Sequence, residues 1–144
     1  MPFRFLADPA LAARLVGVPL DRLLQGEGPT AQPRDGIFLG ALFESLVAMS
    51  LFVFSDANSA ALRHLRTWRG DHEVDFIVVG EGGKVVAVEA KLGNTVRPEH
   101  VTHLLWLKEQ LGDKLLDAVV VNTGSNAYRR KDGIAVVPLG LLGP

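Results

Sequence analysis

The 144-residue chain carries 15 basic and 16 acidic side chains, 48% hydrophobic residues and no cysteine. This length predicts one domain with a well-filled core, and the composition excludes an intrinsically disordered chain. The lack of cysteine excludes disulfides, thiolate catalysis and cysteine-based zinc sites, and it fits a cytoplasmic protein. Because the formal net charge is −1, any contact with nucleic acid must come from a local basic patch.

The first quarter of the chain has short apolar periodicities separated by proline and glycine. Residues 8–24 are predicted to be helical with an interruption at Pro19, and residues 25–36 are predicted to form a loop. We therefore predict a helical lead-in and loop over residues 1–36, followed by a compact α/β domain over residues 37–144.

A long apolar stretch, residues 37–55, predicts the main helix of the domain. It contains no lysine or arginine and a single acidic residue, Glu44. The stretch is at the short limit for crossing a membrane, it contains a carboxylate, and no basic flank follows it. We therefore interpret it as a buried core helix and expect no membrane association.

The most regular element is a β-hairpin over residues 73–92, preceded by a first strand at 62–68. Its two arms alternate β-branched residues with others, and a glycine-rich turn separates them. A register that places Gly80 opposite Lys84 brings Asp75 directly opposite Glu89, with the two side chains on one face. A slip of one residue would separate them.

The same register places Glu73 opposite Lys91, so three carboxylates and one ammonium are predicted at the open end of the hairpin. Two close carboxylates repel unless a proton or cation relieves them. Oxygen ligands of this kind suit Mg²⁺ or Mn²⁺. The alternative left open is a pair of solvated surface carboxylates neutralised by Lys91 and a nearby arginine.

Two further strands and a helix follow the hairpin. Residues 98–111 predict a helix with an apolar stripe, and residues 117–122 form a continuous apolar run typical of a buried strand. Residues 124–133 predict a polar loop and residues 134–137 a final strand. The order is helix, three strands, helix, strand, strand, with one βαβ unit.

The pattern of Asp75, a hairpin turn and then Glu89-x-Lys91 resembles the PD-(D/E)XK nuclease superfamily. An upstream Phe-Glu pair ending at Glu44 and an arginine- and tryptophan-bearing stretch at 65–70 extend the resemblance. In this order the residues also resemble the C-terminal domain of unknown function found after the P-loop domain of prokaryotic AAA-type ATPases. The resemblance implies an α/β, restriction-endonuclease-like core of a helix, three antiparallel-to-mixed strands, a helix and a strand.

The resemblance also implies a site. Asp75, Glu89 and the main-chain carbonyl of Ala90 are the implied ligands of Mg²⁺ or Mn²⁺. Glu44 is implied to bind a second ion or a metal-bound water, or alternatively to pair with an arginine, and Lys91 is implied to support the attacking water.

Other candidates are weaker. The chain's two tryptophans are expected in the core. Basic residues near the hairpin and in the late loop can contact phosphate or can be ordinary solvated charges. Two polar residues are candidates for an auxiliary role at the predicted metal site. These residues are Arg66, Arg69, Arg129, Arg130 and Lys131 for nucleic acid, and His103 and Glu73 as auxiliaries.

Two functions are consistent with these patterns. The first is a divalent-metal-dependent nuclease, with DNA favoured over RNA as substrate. The alternative is a non-catalytic nuclease-fold module that binds nucleic acid or a partner protein as an accessory to an AAA-type ATPase. The sequence contains no P-loop motif, and a homodimer is left open.

Overall fold

The structure, a computed structural model, describes residues 8–17, 21 and 33–144. The chain divides into two compact units, residues 1–49 and 50–144. The predicted break at Pro19 and most of the predicted loop lie outside the described residues.

Helix α1 spans Pro9–Val16 in the first unit. The Ala10 amide donates a hydrogen bond to Asp8 Oδ1 at 2.8 Å, so Asp8 caps the helix as its side chain predicts. The helix ends at Gly17, whose φ of 72° is the left-handed conformation that glycine adopts without strain.

Helix α2 spans Pro33–Ala57. It begins inside the predicted loop, because a proline is tolerated in the first turn of a helix and does not have to precede it. The part Ile37–Ala57 has a mean hydropathy of 2.2 and is long and apolar enough to cross a membrane, a property that core helices of soluble proteins share. Only 22% of its most apolar window is buried, so the helix is less buried than we predicted.

The second unit contains a six-stranded mixed sheet. The strand order is β1-β2-β3-β4-β6-β5, with parallel pairs β3–β4 and β4–β6 and antiparallel pairs elsewhere. This arrangement confirms the α/β class. The strands are Ala61–Arg66 (β1), Glu73–Val79 (β2), Val85–Lys91 (β3), Leu115–Asn122 (β4), Tyr128–Arg129 (β5) and Ala135–Pro138 (β6).

The predicted βαβ unit joins β3 to β4. A turn of 3-10 helix at Pro98–Val101 leads into helix α3, Thr102–Leu111, which Gly112 ends with a φ of 50°. Leu104 and other apolar residues of α3 pack on the sheet face that carries Ala87. Every residue of this hydrophobic core is buried or partly buried. Because side chains alternate along a strand, Glu89 shares this face with Ala87.

Strand β1 ends two residues before the predicted end. The Thr67 amide donates to the His72 carbonyl at 2.9 Å and closes a turn there. The pairing of β1 with β2 also shifts register between Arg63 and Leu65, so the predicted alternation of faces is broken at His64.

Candidate active site

The hairpin has the register that unites the two carboxylates. The Gly80 amide donates to the Lys84 carbonyl at 2.8 Å, and Phe76 lies opposite Val88. One more step of this register places Asp75 opposite Glu89. The register prediction is confirmed, and it follows from the alternation of both arms and the length of the glycine turn.

Asp75 is fixed across the two strands by its own carboxylate. Asp75 Oδ2 accepts a hydrogen bond from the Ala90 amide at 2.9 Å, beyond the last paired residues of the ladder, Phe76 and Val88. The imidazole of His64 on β1 lies with Nδ1 3.2 Å from the Asp75 main-chain oxygen. Asp75 is therefore held from both neighbouring strands.

Glu89 is buried although it is ionisable. Its exposed fraction is 4%, and Lys91 Nζ lies 3.1 Å from Glu89 Oε2. Burial, together with the adjacent Asp75 carboxylate and a hydrogen bond to it, raises the pKa of Glu89 from 4.5 to about 8. The Lys91 ammonium opposes this rise but does not outweigh it.

The side chains of Asp75, Glu89 and Lys91 therefore form a small cluster of ionisable groups. With its pKa at about 8, the Glu89 carboxyl holds a proton at neutral pH, and the Lys91 ammonium lies 3.1 Å from it. The alternative of two solvated surface carboxylates is wrong for Glu89, because its side chain is buried on β3, an interior strand of the sheet.

The donor set fits one kind of metal ion. Within residues 8–17, 21 and 33–144, no group of three or more His, Cys, Asp or Glu side chains converges. Mg²⁺ is commonly bound by only one or two carboxylates, with waters and substrate phosphates completing its shell. Asp75 and Glu89 meet that requirement, whereas an all-protein cage of the Ca²⁺ or Zn²⁺ type is not formed by the described residues.

The two other predicted ligands, Ala90 and Glu44, belong to different units of the chain. The Ala90 amide donates a hydrogen bond to Asp75, so Ala90 adjoins the carboxylate pair, and its participation as a carbonyl ligand stays a prediction. Glu44 is partly buried in α2, within the unit of residues 1–49. Its participation in the site stays a prediction.

Glu73 has partners on β1. Glu73 Oε1 lies 3.3 Å from His64 Nε2, and Glu73 Oε2 lies 3.9 Å from Arg66 Nε. Lys91, which the sequence places opposite Glu73, contacts Glu89. Sequence reasoning missed His64, which bridges Glu73 and Asp75; its place in a strand next to an acidic hairpin was the available signal.

His103, the auxiliary candidate, belongs to a ring cluster. Its Nδ1 lies 3.3 Å from Nδ1 of His72, whose ring stacks on Trp106 with centroids 4.0 Å apart. Trp106 packs against the core as predicted. The same prediction is wrong for Trp68, which is 101% exposed.

The basic candidates of the late loop have intramolecular partners. Arg129 donates two hydrogen bonds to Asp117, at 2.9 and 2.8 Å, and these hold the pKa of Asp117 below its usual value. Arg130 Nη2 donates to Asp132 Oδ2 at 2.9 Å. Lys131 is exposed in the same loop, and its contact with nucleic acid stays a prediction.

A family model described as a domain of unknown function, DUF4143, matches residues 39–142. The chain belongs to this family. The DUF4143 match includes Glu44, Asp75, Glu89 and Lys91 together with all six strands, so the candidate site lies within the family domain. No match was found among curated proteins or among solved structures.

Proposed function

We propose that this DUF4143 domain is a divalent-metal-dependent nuclease of the PD-(D/E)XK type that hydrolyses phosphodiester bonds in DNA or RNA. The supporting observation is buried Glu89, held against Asp75 of the neighbouring strand with the Lys91 ammonium at 3.1 Å. A buried carboxylate pair is costly, and a divalent cation is a natural partner for it. The mixed sheet and the order of its elements are compatible with a restriction-endonuclease-like core.

Each residue has a role in this proposal. Asp75, Glu89 and the Ala90 carbonyl would hold Mg²⁺ or Mn²⁺, with Glu44 binding a second ion or a bound water. When bound, the ion neutralises charge on the scissile phosphate and lowers the pKa of a coordinated water. Lys91 is two residues from Glu89, and its ammonium can donate hydrogen bonds to phosphate oxygens as negative charge develops on them.

Metal binding is tested by calorimetry. We expect Mn²⁺ to bind the wild-type domain and expect Asp75→Ala to abolish that binding. Asp113→Ala is the matched control, because Asp113 is an exposed carboxylate that precedes β4 at the other end of the sheet. Equal Mn²⁺ binding by the wild type and Asp75→Ala would contradict the proposed ligand set.

Catalysis is tested with DNA and RNA substrates in Mg²⁺ or Mn²⁺. We expect Lys91→Ala to lose at least ten-fold in cleavage rate and Lys84→Ala to retain activity. Lys84 is the matched control because it lies at the turn end of the same hairpin, where its ammonium donates a hydrogen bond to the Asp113 main-chain oxygen at 2.9 Å. Equal cleavage by the wild type and Lys91→Ala would reject the mechanism.

The second candidate is a non-catalytic module that binds nucleic acid or a partner protein, as an accessory to an AAA-type ATPase. The ion pair between Lys91 and Glu89 favours it, because a lysine that neutralises Glu89 can replace a cation. This function predicts no measurable Mn²⁺ binding and no cleavage by the wild type. The calorimetric titration therefore separates the two candidates before any substrate is known.

A further inference from the structure

The turn between β1 and β2, residues 67–72, presents Trp68 to solvent. Trp68 is 101% exposed, the largest exposed fraction among the large hydrophobic side chains of the described residues. Leaving so much apolar surface in water forgoes the stabilisation that burial gives. An exposed indole is also a common anchor for partners that have a flat apolar face.

The turn holds this indole on an ordered backbone. The Thr67 amide donates to the His72 carbonyl at 2.9 Å, the Gly70 amide donates to the Thr67 carbonyl at 2.9 Å, and the His72 amide donates to Thr67 Oγ1 at 3.1 Å. Gly70 has a φ of 75°, which a side chain would strain. Because the backbone is fixed before binding, a ligand does not have to order it.

Three arginines lie close to Trp68 in the sequence. Arg63, Arg66 and Arg69 are all exposed on β1 and in the turn. The guanidinium of Arg66 folds toward Gly70, where an added Cβ would lie 3.7 Å from Arg66 Nη2. An exposed indole and exposed arginines in one turn and the strand before it offer stacking and phosphate contacts, the two features that bind single-stranded nucleic acid.

The turn lies at the same end of the sheet as the carboxylate pair. Arg66, the last residue of β1, pairs with Glu73, the first residue of β2, and Asp75 follows two residues later. A single strand of nucleic acid bound at the turn would therefore lie close to the end of the hairpin where the Ala90 amide bonds to Asp75.

We propose that Trp68, with Arg66 and Arg69, forms a binding site for single-stranded nucleic acid. One base stacks on the Trp68 indole, and the arginines contact the adjacent phosphates. The choice of a nucleic-acid ligand rests on the proposed function. A single strand fits better than a duplex, because a base inside a duplex has no free face to stack on the indole.

The test measures binding of a fluorescently labelled oligo(dT) by anisotropy in EDTA, so that cleavage does not interfere. We expect Trp68→Ala to weaken binding about ten-fold or more, since stacking is worth about 1–3 kcal/mol per base, and Trp68→Phe to recover most of the affinity. Leu116→Ala is the matched control, because Leu116 is a 63% exposed apolar residue in β4. Unchanged affinity in Trp68→Ala would overturn the proposal.

Two further measurements sharpen the test. Trp68 and Trp106 are the only tryptophans in the sequence, so Trp106→Phe leaves Trp68 as the sole indole, and oligo(dT) is expected to quench its fluorescence. Arg69→Gln is expected to reduce the salt dependence of log K by about 0.7, the loss of one phosphate contact. Tighter binding of a blunt duplex than of oligo(dT) overturns the proposal, as does the absence of any binding by the wild type.

The two proposals can fail separately. Oligo(dT) binding in EDTA and cleavage in Mg²⁺ or Mn²⁺ are measured separately on the wild type and on Trp68→Ala. Binding by Trp68 without cleavage would leave the single-strand site standing and remove the nuclease. Cleavage by Trp68→Ala together with unchanged oligo(dT) affinity would leave the nuclease standing and remove the single-strand site.

Discussion

The burial of Glu89 predicts that this domain loses stability as the pH rises through neutrality. The pKa of Glu89 is about 8 in the folded protein, against an ordinary value of 4.5. Between these values the folded state holds a proton that the unfolded state has released, so the free energy of unfolding falls with increasing pH. At about 1.4 kcal/mol per pKa unit, the full effect is roughly 5 kcal/mol.

Glu89→Gln isolates this effect because glutamine has nearly the same shape and does not titrate. We expect the wild type and the variant to have similar free energies of unfolding near pH 5. At pH 8 the variant should be more stable by several kcal/mol, because only the wild type has to keep a proton or a charge at a buried position. Urea unfolding at pH 5, 6, 7 and 8 in EDTA measures the difference.

Glu109→Gln is the matched control, since it makes the same change at an exposed carboxylate on α3. Parallel pH profiles for the wild type and Glu89→Gln would refute the reasoning. That result would mean that Glu89 is ionised in the folded state at neutral pH, with Lys91 as a sufficient partner.

Three other predictions follow from the same geometry. Because Mn²⁺ must displace the proton of Glu89, its affinity should rise up to about ten-fold per pH unit below pH 8, which calorimetry at pH 6 and 7 measures. A pH-independent Mn²⁺ affinity would contradict a protonated Glu89. The Ser55 hydroxyl is buried and has no hydrogen-bond partner among the described residues, so Ser55→Ala should stabilise the domain by about 1 kcal/mol in urea unfolding; a loss of stability would show that the hydroxyl has a partner. Arg129→Ala should remove the ion pair that lowers the pKa of Asp117. The loss of unfolding free energy relative to the wild type should therefore be largest at neutral pH and should shrink as acid protonates Asp117. A constant difference in unfolding free energy down to acidic pH would contradict this prediction.

The hairpin could be predicted from the sequence because its information is local. Alternating β-branched residues fix the faces of both arms, and the glycines fix the length of the turn. Together they determine the register, so the pairing of Asp75 with Glu89 follows directly. The helix that joins β3 to β4 is equally local, since Pro98 and Gly112 mark its two ends.

The features that could not be predicted depend on contacts between distant residues. The two-residue strand β5 lies in a polar loop, and Arg129 there bonds to Asp117 across twelve positions of sequence. The exposure of Trp68 follows from the turn that Thr67 and His72 close. The sequence of residues 62–68 instead predicted a strand that contains Trp68, with this tryptophan in the core. The burial of Glu89 requires the whole sheet and α3, so its raised pKa has no sequence signature.

The contrast between two acidic residues of this sheet supports a functional role for Glu89. Asp117 and Glu89 each have a basic side chain within about hydrogen-bond reach, Arg129 at 2.8 Å and Lys91 at 3.1 Å. The pKa of Asp117 is lowered, as expected for an ion pair that stabilises the folded state, whereas the pKa of Glu89 is raised. An ion pair that served only stability would resemble the first case.

Glu89 differs because it is buried and because Asp75 is placed against it. Apolar residues at this position would avoid the destabilisation at neutral pH, and a glutamine would avoid the titration. Residues that reduce stability in this way are concentrated at functional sites, where a ligand supplies the missing interaction. Under the proposed function, a divalent cation between Asp75 and Glu89 is that ligand.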